Sequence, residues 1–312
     1  MPLTHLRFRH IEVFKASVRT GSMLAAGRSL GLTQPAVSKL IAELEANYGA
    51  PLLERSKRGV VVTECGAAFL RRADLILNEL ALGREESDAI STGVIGNVRI
   101  GVLPVVAARI IPATLLRLLR EAPGMTIQIE EGTTTALLDA LKRGEVDCVA
   151  GRLDPSAVPG GLQEERIVKM PIRIVVRPGH PVAKLKKPQW QHLSRYSWIA
   201  PRVGSPVRSV IDAEFASMDL PAPKVVFGSI SAPLNSELLR HSDLIGVLGD
   251  DAAREYARTK QLAILPVPVT QPLPHVGLIM RLGSQTKALA TFVNAFRKEC
   301  EKATRTLRAG PH

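Results

Sequence analysis

Cysteine is scarce. Three thiols, Cys65, Cys148 and Cys300, are spread over 312 residues, and so odd and sparse a set excludes a disulfide-stapled secreted fold and fits a reducing compartment. Nowhere do about 18 apolar residues run together, which excludes a membrane-spanning helix. The opening MPLTHLRFRH has no apolar centre of the signal-peptide kind. These absences set the expectation of a cytoplasmic protein with no membrane partner. Catalytic and metal-binding spacings are missing too: no HExxH, no CxxC pair and no GxxxxGK(S/T) loop occurs. His5, His10, His180, His192, His241 and His275 are scattered, with no pair at helical spacing. Ser284 and Lys287 have a Ser–Lys spacing that some acyl-transfer enzymes use, but they open a terminal helix without the accompanying motifs. The expectation is therefore a protein that is not an enzyme and has no cofactor and no metal.

What is present is ordinary in bulk and uneven in charge. Hydrophobic residues make up 46% and charged residues 22%, which suits a globular chain long enough for more than one domain. The net charge is +12. Residues 1–62 hold nine Lys+Arg against four Asp+Glu, so positive charge is densest at the N-terminal end. That asymmetry suits a nucleic-acid partner without proving one.

The most informative stretch is Ser22 to Tyr48, which reads as two short helices around a Gly-Leu-Thr turn. Ser22 can cap the first helix, and Gly31 can end it in the left-handed conformation. Thr33 can cap the second, with Pro35 in its first turn, where a missing N–H costs nothing. Val37, Leu40, Ile41, Leu44 and Tyr48 recur at three- and four-residue spacing and predict one buried stripe. Gln34, Pro35, Ser38, Lys39 and Ala42 lie away from it. A face of small, amide, hydroxyl and basic residues suits close approach to a DNA major groove.

Next comes GAPLLERSKRGVVVTECG, in which Arg55, Lys57 and Arg58 flank a permissive Gly59 before a β-branched run. It reads as a small hairpin, a wing with a cationic tip suited to backbone phosphates. Thr63 then caps a long helix to about residue 90. Phe69, Ala73, Ile76 and Leu80 alternate by four and three along it, a seam that predicts a partner helix and a two-fold dimer. Burial of that seam within its own domain is the competing reading. Small and glycine residues at 91–96 mark a hinge.

In these residues the chain resembles the LysR-type transcriptional regulators. The resemblance is carried by Phe14, Gly21-Ser22, Ala25-Ala26, Leu30, Leu32 through Ser38, Ile41, Leu44-Glu45, Pro51 through Arg55, Val62-Thr63 and Gly66. Leu53 stands where the family usually has Phe, and of the usual glycine motif at 47–49 only Gly49 is kept. The resemblance implies a winged helix-turn-helix. Carried over, Gln34, Ser38 and Lys39 face base edges, Pro35 sits against the backbone at the start of the helix, and Thr33 is a further DNA-binding residue. Arg28, Arg55, Lys57 and Arg58 hold phosphates. Leu52 through Gly59 and His241 through Leu244 place it nearest the branch tied to aromatic-acid, ketoacid or sugar catabolism.

From Asn97 the pattern changes. VRIGVL (98–103), MTIQIE (125–130) and VDCVAG (146–151) read as strands, with helices following Pro104 and the turn at 132–135. Strand–helix alternation of this kind predicts a parallel sheet. A second α/β unit begins at IRIVVRP (172–178). Its helices are expected near 205–217, 230–241 and 250–258. VGLIMR (276–281) and a final helix at about 285–307 return to the first unit. The expected fold class is thus α/β with an all-α-type winged helix-turn-helix in front. The expected boundaries are 1–62 for DNA binding, 63–90 for the dimerisation helix and 91–96 for the hinge. Lobe I then spans 97–171 with 272–307 returning, and lobe II spans 172–271, a two-lobed periplasmic-binding-protein-like effector domain as the resemblance also implies.

Ligands of such sheets bind beyond strand C-terminal ends. Pro104, Val105, Thr133, Thr134, Arg202, Ser205, Arg208 and Ser231 are the expected effector contacts. Helix N-termini, hydroxyls and arginines suit a small anionic metabolite. The plain alternative for each is a capping hydroxyl or a solvated arginine. The expected partners are double-stranded promoter DNA, that effector, further copies of the chain as a dimer of dimers, and RNA polymerase. A solute-binding protein without regulatory DNA binding is the alternative function.

Overall fold

A computed structural model describes residues 6–56, 59–92, 96–152, 160–283 and 286–308. Lys57, Arg58, Ser284 and the middle of the expected hinge lie outside the described residues. The chain divides into two compact units, with the main boundary after Arg84.

The N-terminal unit comprises α1 (Phe8–Thr20), α2 (Met23–Leu30), α3 (Gln34–Tyr48), β1 (Leu53–Ser56), β2 (Gly59–Val62) and the start of α4 (Glu64–Thr92). Helix α1 buries Ile11, Val13 and Phe14 against Val37, Ile41 and Leu44 of α3 and Leu52. Phe69 and Ala73 of α4 join the same core. Phe69 meets Phe14 edge-on at 5.2 Å and Tyr48 at 5.0 Å. Tyr48 was expected in the buried stripe, but it is 41% exposed. It sits in the last turn of α3, where only one side of its ring meets Phe69. Strands β1 and β2 form an antiparallel pair, with Leu53 opposite Val62 and Ser56 opposite Gly59.

In the second unit two five-stranded sheets carry two lobes. Lobe I contains β3 (Gly96–Val102), α5 (Pro104–Ala107), α6 (Ile110–Glu121), β4 (Met125–Glu131), α7 (Thr134–Arg143), β5 (Cys148–Arg152) and β6 (Leu162–Val168). Lobe II contains β7 (Ile172–Val176), α8 (Trp190–Leu193), β8 (Trp198–Ala200), α9 (Pro206–Ser217), β9 (Val225–Gly228), α10 (Ala232–Arg240), β10 (Ile245–Gly249), α11 (Asp250–Arg258) and β11 (Ala263–Ile264). The chain then returns to lobe I through β12 (Val276–Arg281) and α12 (Lys287–Arg308).

The lobe I sheet runs β4-β3-β5-β12-β6. It is mixed rather than purely parallel, because β12 lies antiparallel between β5 and β6. Helices α6 and α12 cover one face, burying Leu118, Phe292 and Phe296. Helix α7 covers the other with Leu137, Leu138 and Leu141. The single helix expected after Pro104 is two, α5 and α6. Pro112 explains the break, since its ring opposes the carbonyl four residues back in a continuous helix. The lobe II sheet runs β11-β7-β10-β8-β9. Its core stacks Trp190 on Trp198 at 6.2 Å, with Phe215 edge-on to both. Aromatic packing of this geometry adds about 0.5–1.5 kcal/mol per pair beyond area burial.

Candidate nucleic-acid interface and interlobe cleft

The helix pair is built by its caps. The Ser22 hydroxyl accepts from the Ala25 N–H at 3.3 Å, and the Thr33 hydroxyl accepts from the Ala36 N–H at 3.4 Å. Gly31 takes φ 66° between the helices, a conformation that other residues seldom adopt. With Val37, Ile41 and Leu44 turned inward, Thr33, Gln34, Pro35 and Lys39 are exposed at the start of α3, and Arg28 is exposed on α2. Ser38 is half-buried, and its hydroxyl donates to the Met23 sulfur at 3.3 Å. Lys39 lies 3.9 Å from Glu43, whose carboxylate also meets His10 at 3.2 Å. Arg55 pairs through its backbone with Val60 in the wing; its side chain, like Lys57 and Arg58, lies outside the described residues.

The seam on α4 is divided. Phe69 and Ala73, expected in the dimer seam, are buried in the N-terminal unit itself, so for these two the competing reading of burial within the domain holds. Ile76 and Leu80 are 41% and 49% exposed. The reason is position: the first two turns of α4 pass over Phe14 and Tyr48, which take up the apolar face there.

In the second unit, the parallel strands of both sheets end on the side where the chain crosses between lobes. Val276 of β12 pairs with Arg152 at the end of β5, and Ile172 of β7 pairs with Gly249 at the end of β10. Around that edge lie Pro104 and Val105 after β3 and Thr133 and Thr134 after β4. Arg202 and Ser205 follow β8, and Ser231 follows β9. Val105 is brought across to lobe II: a side-chain carbon on Gly249 would lie 3.6 Å from it. Three of the expected hydroxyls cap helices. Thr133 accepts from the Ala136 N–H at 3.4 Å, Ser205 from Arg208 at 3.2 Å and Ser231 from Leu234 at 3.4 Å. Arg208 is held by both Asp212 oxygens, at 2.8 and 3.0 Å. Arg202 is exposed, and Thr134 is half-buried in the first turn of α7.

Residues that the sequence did not single out tie the lobes together. Arg109 of lobe I donates to Asp251 of lobe II at 2.9 Å. The buried Arg152 donates to the Pro274 carbonyl at 2.6 Å and to the Met170 carbonyl, one on each crossover segment. Burial lowers its pKa to about 10, so it remains a cation at neutral pH. Asp250, fully buried, is held by Arg173 and Arg254, and its N–H donates to the Pro171 carbonyl at 3.0 Å. The longest of these pairings, Arg109 to Asp251 and Arg152 to Pro274, span 142 and 122 positions and leave no local pattern to read.

Among the described residues, no group of three His, Cys, Asp or Glu is placed to hold a metal, and no helix is long and apolar enough to cross a membrane. Burial pushes the thiols of Cys148 and Cys300 up, the latter to about 12, which keeps them protonated and unreactive. A groove of about 430 Å³ beside Met280 and Val293 lies at the opposite end of β12 from the crossover, away from the cleft.

Residues 8–67 match the family described as bacterial regulatory helix-turn-helix protein, lysR family, and residues 91–301 match the LysR substrate binding domain. The chain belongs to the LysR family of transcriptional regulators. Among LysR relatives, the HTH-type transcriptional regulator PcaQ of Agrobacterium fabrum is 32% identical over 282 residues, 90% of each chain. GalR of Pseudomonas putida is 30% identical, covering 90% of this chain and 71% of its own. The LysR fold is seen again in full-length CbnR in complex with its target DNA, at TM-score 0.70 and 23% identity, over 94% of this chain and all of that one. The first LysR match spans α1 to the first turn of α4, and the second takes in both lobes.

Proposed function

We propose that this LysR-family protein binds promoter DNA as a homo-oligomer in the cytoplasm and that a small carboxylic acid, or a related catabolic metabolite, bound between its lobes controls it. The observation that carries the DNA-binding half is the sidedness of α3. Val37, Ile41 and Leu44 are sealed inward, while Gln34, Pro35 and Lys39 stand exposed at the end that enters a major groove in this motif. In this reading Gln34, Ser38 and Lys39 address base edges, with Thr33 and Pro35 against the backbone. Arg28, Arg55, Lys57 and Arg58 hold phosphates. Ile76 and Leu80 supply the exposed part of the dimer seam.

The effector half rests on strand ends and helix starts converging at the crossover, with Pro104, Val105, Thr133, Thr134, Arg202, Ser205 and Ser231 around it. N–H groups free at helix starts favour an anion. Because Arg208 is neutralised by Asp212, Arg202 is the better candidate to grip a carboxylate. An effector that binds one arrangement of the lobes better than another shifts the assembly on DNA by that difference.

One preparation tests both halves. Duplexes recovered from a randomised library should be bound far more tightly than scrambled duplex at moderate salt. A set of small carboxylic acids should then include members that raise the melting temperature and alter affinity for the recovered duplex. No preference over scrambled duplex would overturn the DNA-binding half. A preference with no acid response, and a response to neutral sugars instead, would overturn the acid.

A further inference from the structure

The wing is tied to the recognition helix by one carboxylate. Glu45 lies on α3, about three turns beyond Gln34 and about two beyond Ser38 and Lys39. Its Oε1 accepts from two consecutive backbone N–H groups, Leu52 at 2.7 Å and Leu53 at 2.9 Å. These residues lead into β1, the first strand of the wing. Such charge-assisted bonds are stronger than neutral ones, and two on adjacent residues fix direction as well as distance.

The rest of the wing is pinned to other elements. The Thr63 hydroxyl donates to the Pro51 carbonyl at 2.8 Å, and its N–H donates to the Leu52 carbonyl at 3.1 Å. A side-chain carbon on Gly66 would fall 2.0 Å from that same Leu52 oxygen, so the first turn of α4 lies directly against it. Nearer the tip, the Val60 N–H donates to the Gly21 carbonyl at 2.8 Å. Only Glu45 joins the hairpin to α3 by a side-chain hydrogen bond among the described residues.

We infer that Glu45 is a positioning residue for DNA binding: it sets the wing's cations relative to the base-reading end of α3 without touching DNA. This rests on the reading of the wing as a phosphate contact. A protein that grips a duplex at two places loses affinity when the spacing between them relaxes, because each contact must then be ordered on binding.

The experiment compares variants with the same charge. Glu45→Gln removes the negative charge but keeps an oxygen that accepts both N–H groups. Glu45→Met removes the same charge, keeps similar volume and has no acceptor. Affinity for a duplex recovered from a randomised library is measured against salt concentration. Each phosphate contact contributes about 0.9 to the slope of log K against log salt. Glu45→Gln should match the native slope. Glu45→Met should lose about one contact's worth, bind roughly tenfold more weakly at moderate salt, and lose hydroxyl-radical protection where the wing lies. Should Glu45→Met fail to fold, Glu45→Asp decides. It keeps the charge but is one methylene too short to reach both amides, and should also lose slope.

Removing the wing's three cations together, Arg55→Ala with Lys57→Ala and Arg58→Ala, separates the inference from the reading beneath it. If that triple variant leaves the slope unchanged, the wing is not a phosphate contact and the reading fails. If it lowers the slope while Glu45→Met matches Glu45→Gln in slope and protection, Glu45 is a structural residue only and the inference is overturned, whatever the melting temperatures do.

Discussion

Arg152 is where single-residue chemistry bears most on the second unit. Its guanidinium is buried and donates to two backbone carbonyls, Met170 and Pro274, one in each segment that joins the lobes. Leaving a buried carbonyl without a donor costs about 1–3 kcal/mol, and Arg152→Met would strand two. Opposing this is the cost of burying a cation, already visible as a pKa lowered to about 10. We expect the carbonyls to win, with Arg152→Met losing about 1–3 kcal/mol in urea unfolding. No loss would mean that desolvation relief cancels both bonds. The pH sign is definite. A base whose folded pKa is depressed is the more protonated in the unfolded chain only between about pH 10 and its ordinary value. The native and Met variants should therefore differ by a constant amount from pH 6 to 9, and the native chain should gain relative to the variant above pH 10. Nothing local announces this residue. It ends β5 directly after Ala150 and Gly151, and its acceptors lie 18 and 122 positions away.

Among the elements, helix α4 serves two purposes along its length, and the seam spacing conveys only that one face is apolar. Phe69 and Ala73 complete the N-terminal core, while Ile76 and Leu80 remain exposed. Phe69→Ala should cost about 3–5 kcal/mol as a buried aromatic truncation, read by thermal melting of the chain. Leu80→Ser, with Ile76→Ser, should leave the N-terminal core's stability within about 0.5 kcal/mol while lowering the apparent mass in sedimentation. Unchanged mass would take these residues out of the dimer contact. The elements that sequence reading recovered share a strong local signature. Caps at Ser22 and Thr33, proline in the first turn of α3, and apolar strand runs at 98–103 and 276–281 were all visible. The missed elements had weaker signatures. Helix α1 has no side-chain N-cap hydrogen bond and no acidic first turn. Strand β6 is an edge strand rich in charge, LQEERIV, with only Val168 fully buried. The mixed direction of the lobe I sheet was also hidden, since β12 is inserted between β5 and β6 from more than 100 residues later.

The two-lobed arrangement itself was legible as a return of the chain to its first sheet, but what holds the lobes against each other was not, because it is a matter of contacts between distant positions. Arg109, at the start of α6, reaches Asp251, at the start of α11, across 142 positions. Asp251 is almost wholly buried and Arg109 is 43% exposed on its side chain. The geometry makes the pair asymmetric. Removing the arginine strands a buried carboxylate, whereas removing the carboxylate leaves an arginine whose side chain water already reaches. Arg109→Ala should therefore destabilise more than Asp251→Asn, the more so because one Asp251 oxygen already has no partner among the described residues. If the pair also holds the lobes against each other, Arg109→Ala should speed backbone hydrogen exchange at Met170, Ile172 and Val276, beside the crossovers, and should weaken any acid-induced rise in melting temperature. Arg109→Lys, which keeps the charge, should recover most of both effects. Faster exchange confined to the start of α6, with crossover amides and acid response as in the native chain, would reduce the pair to local stability.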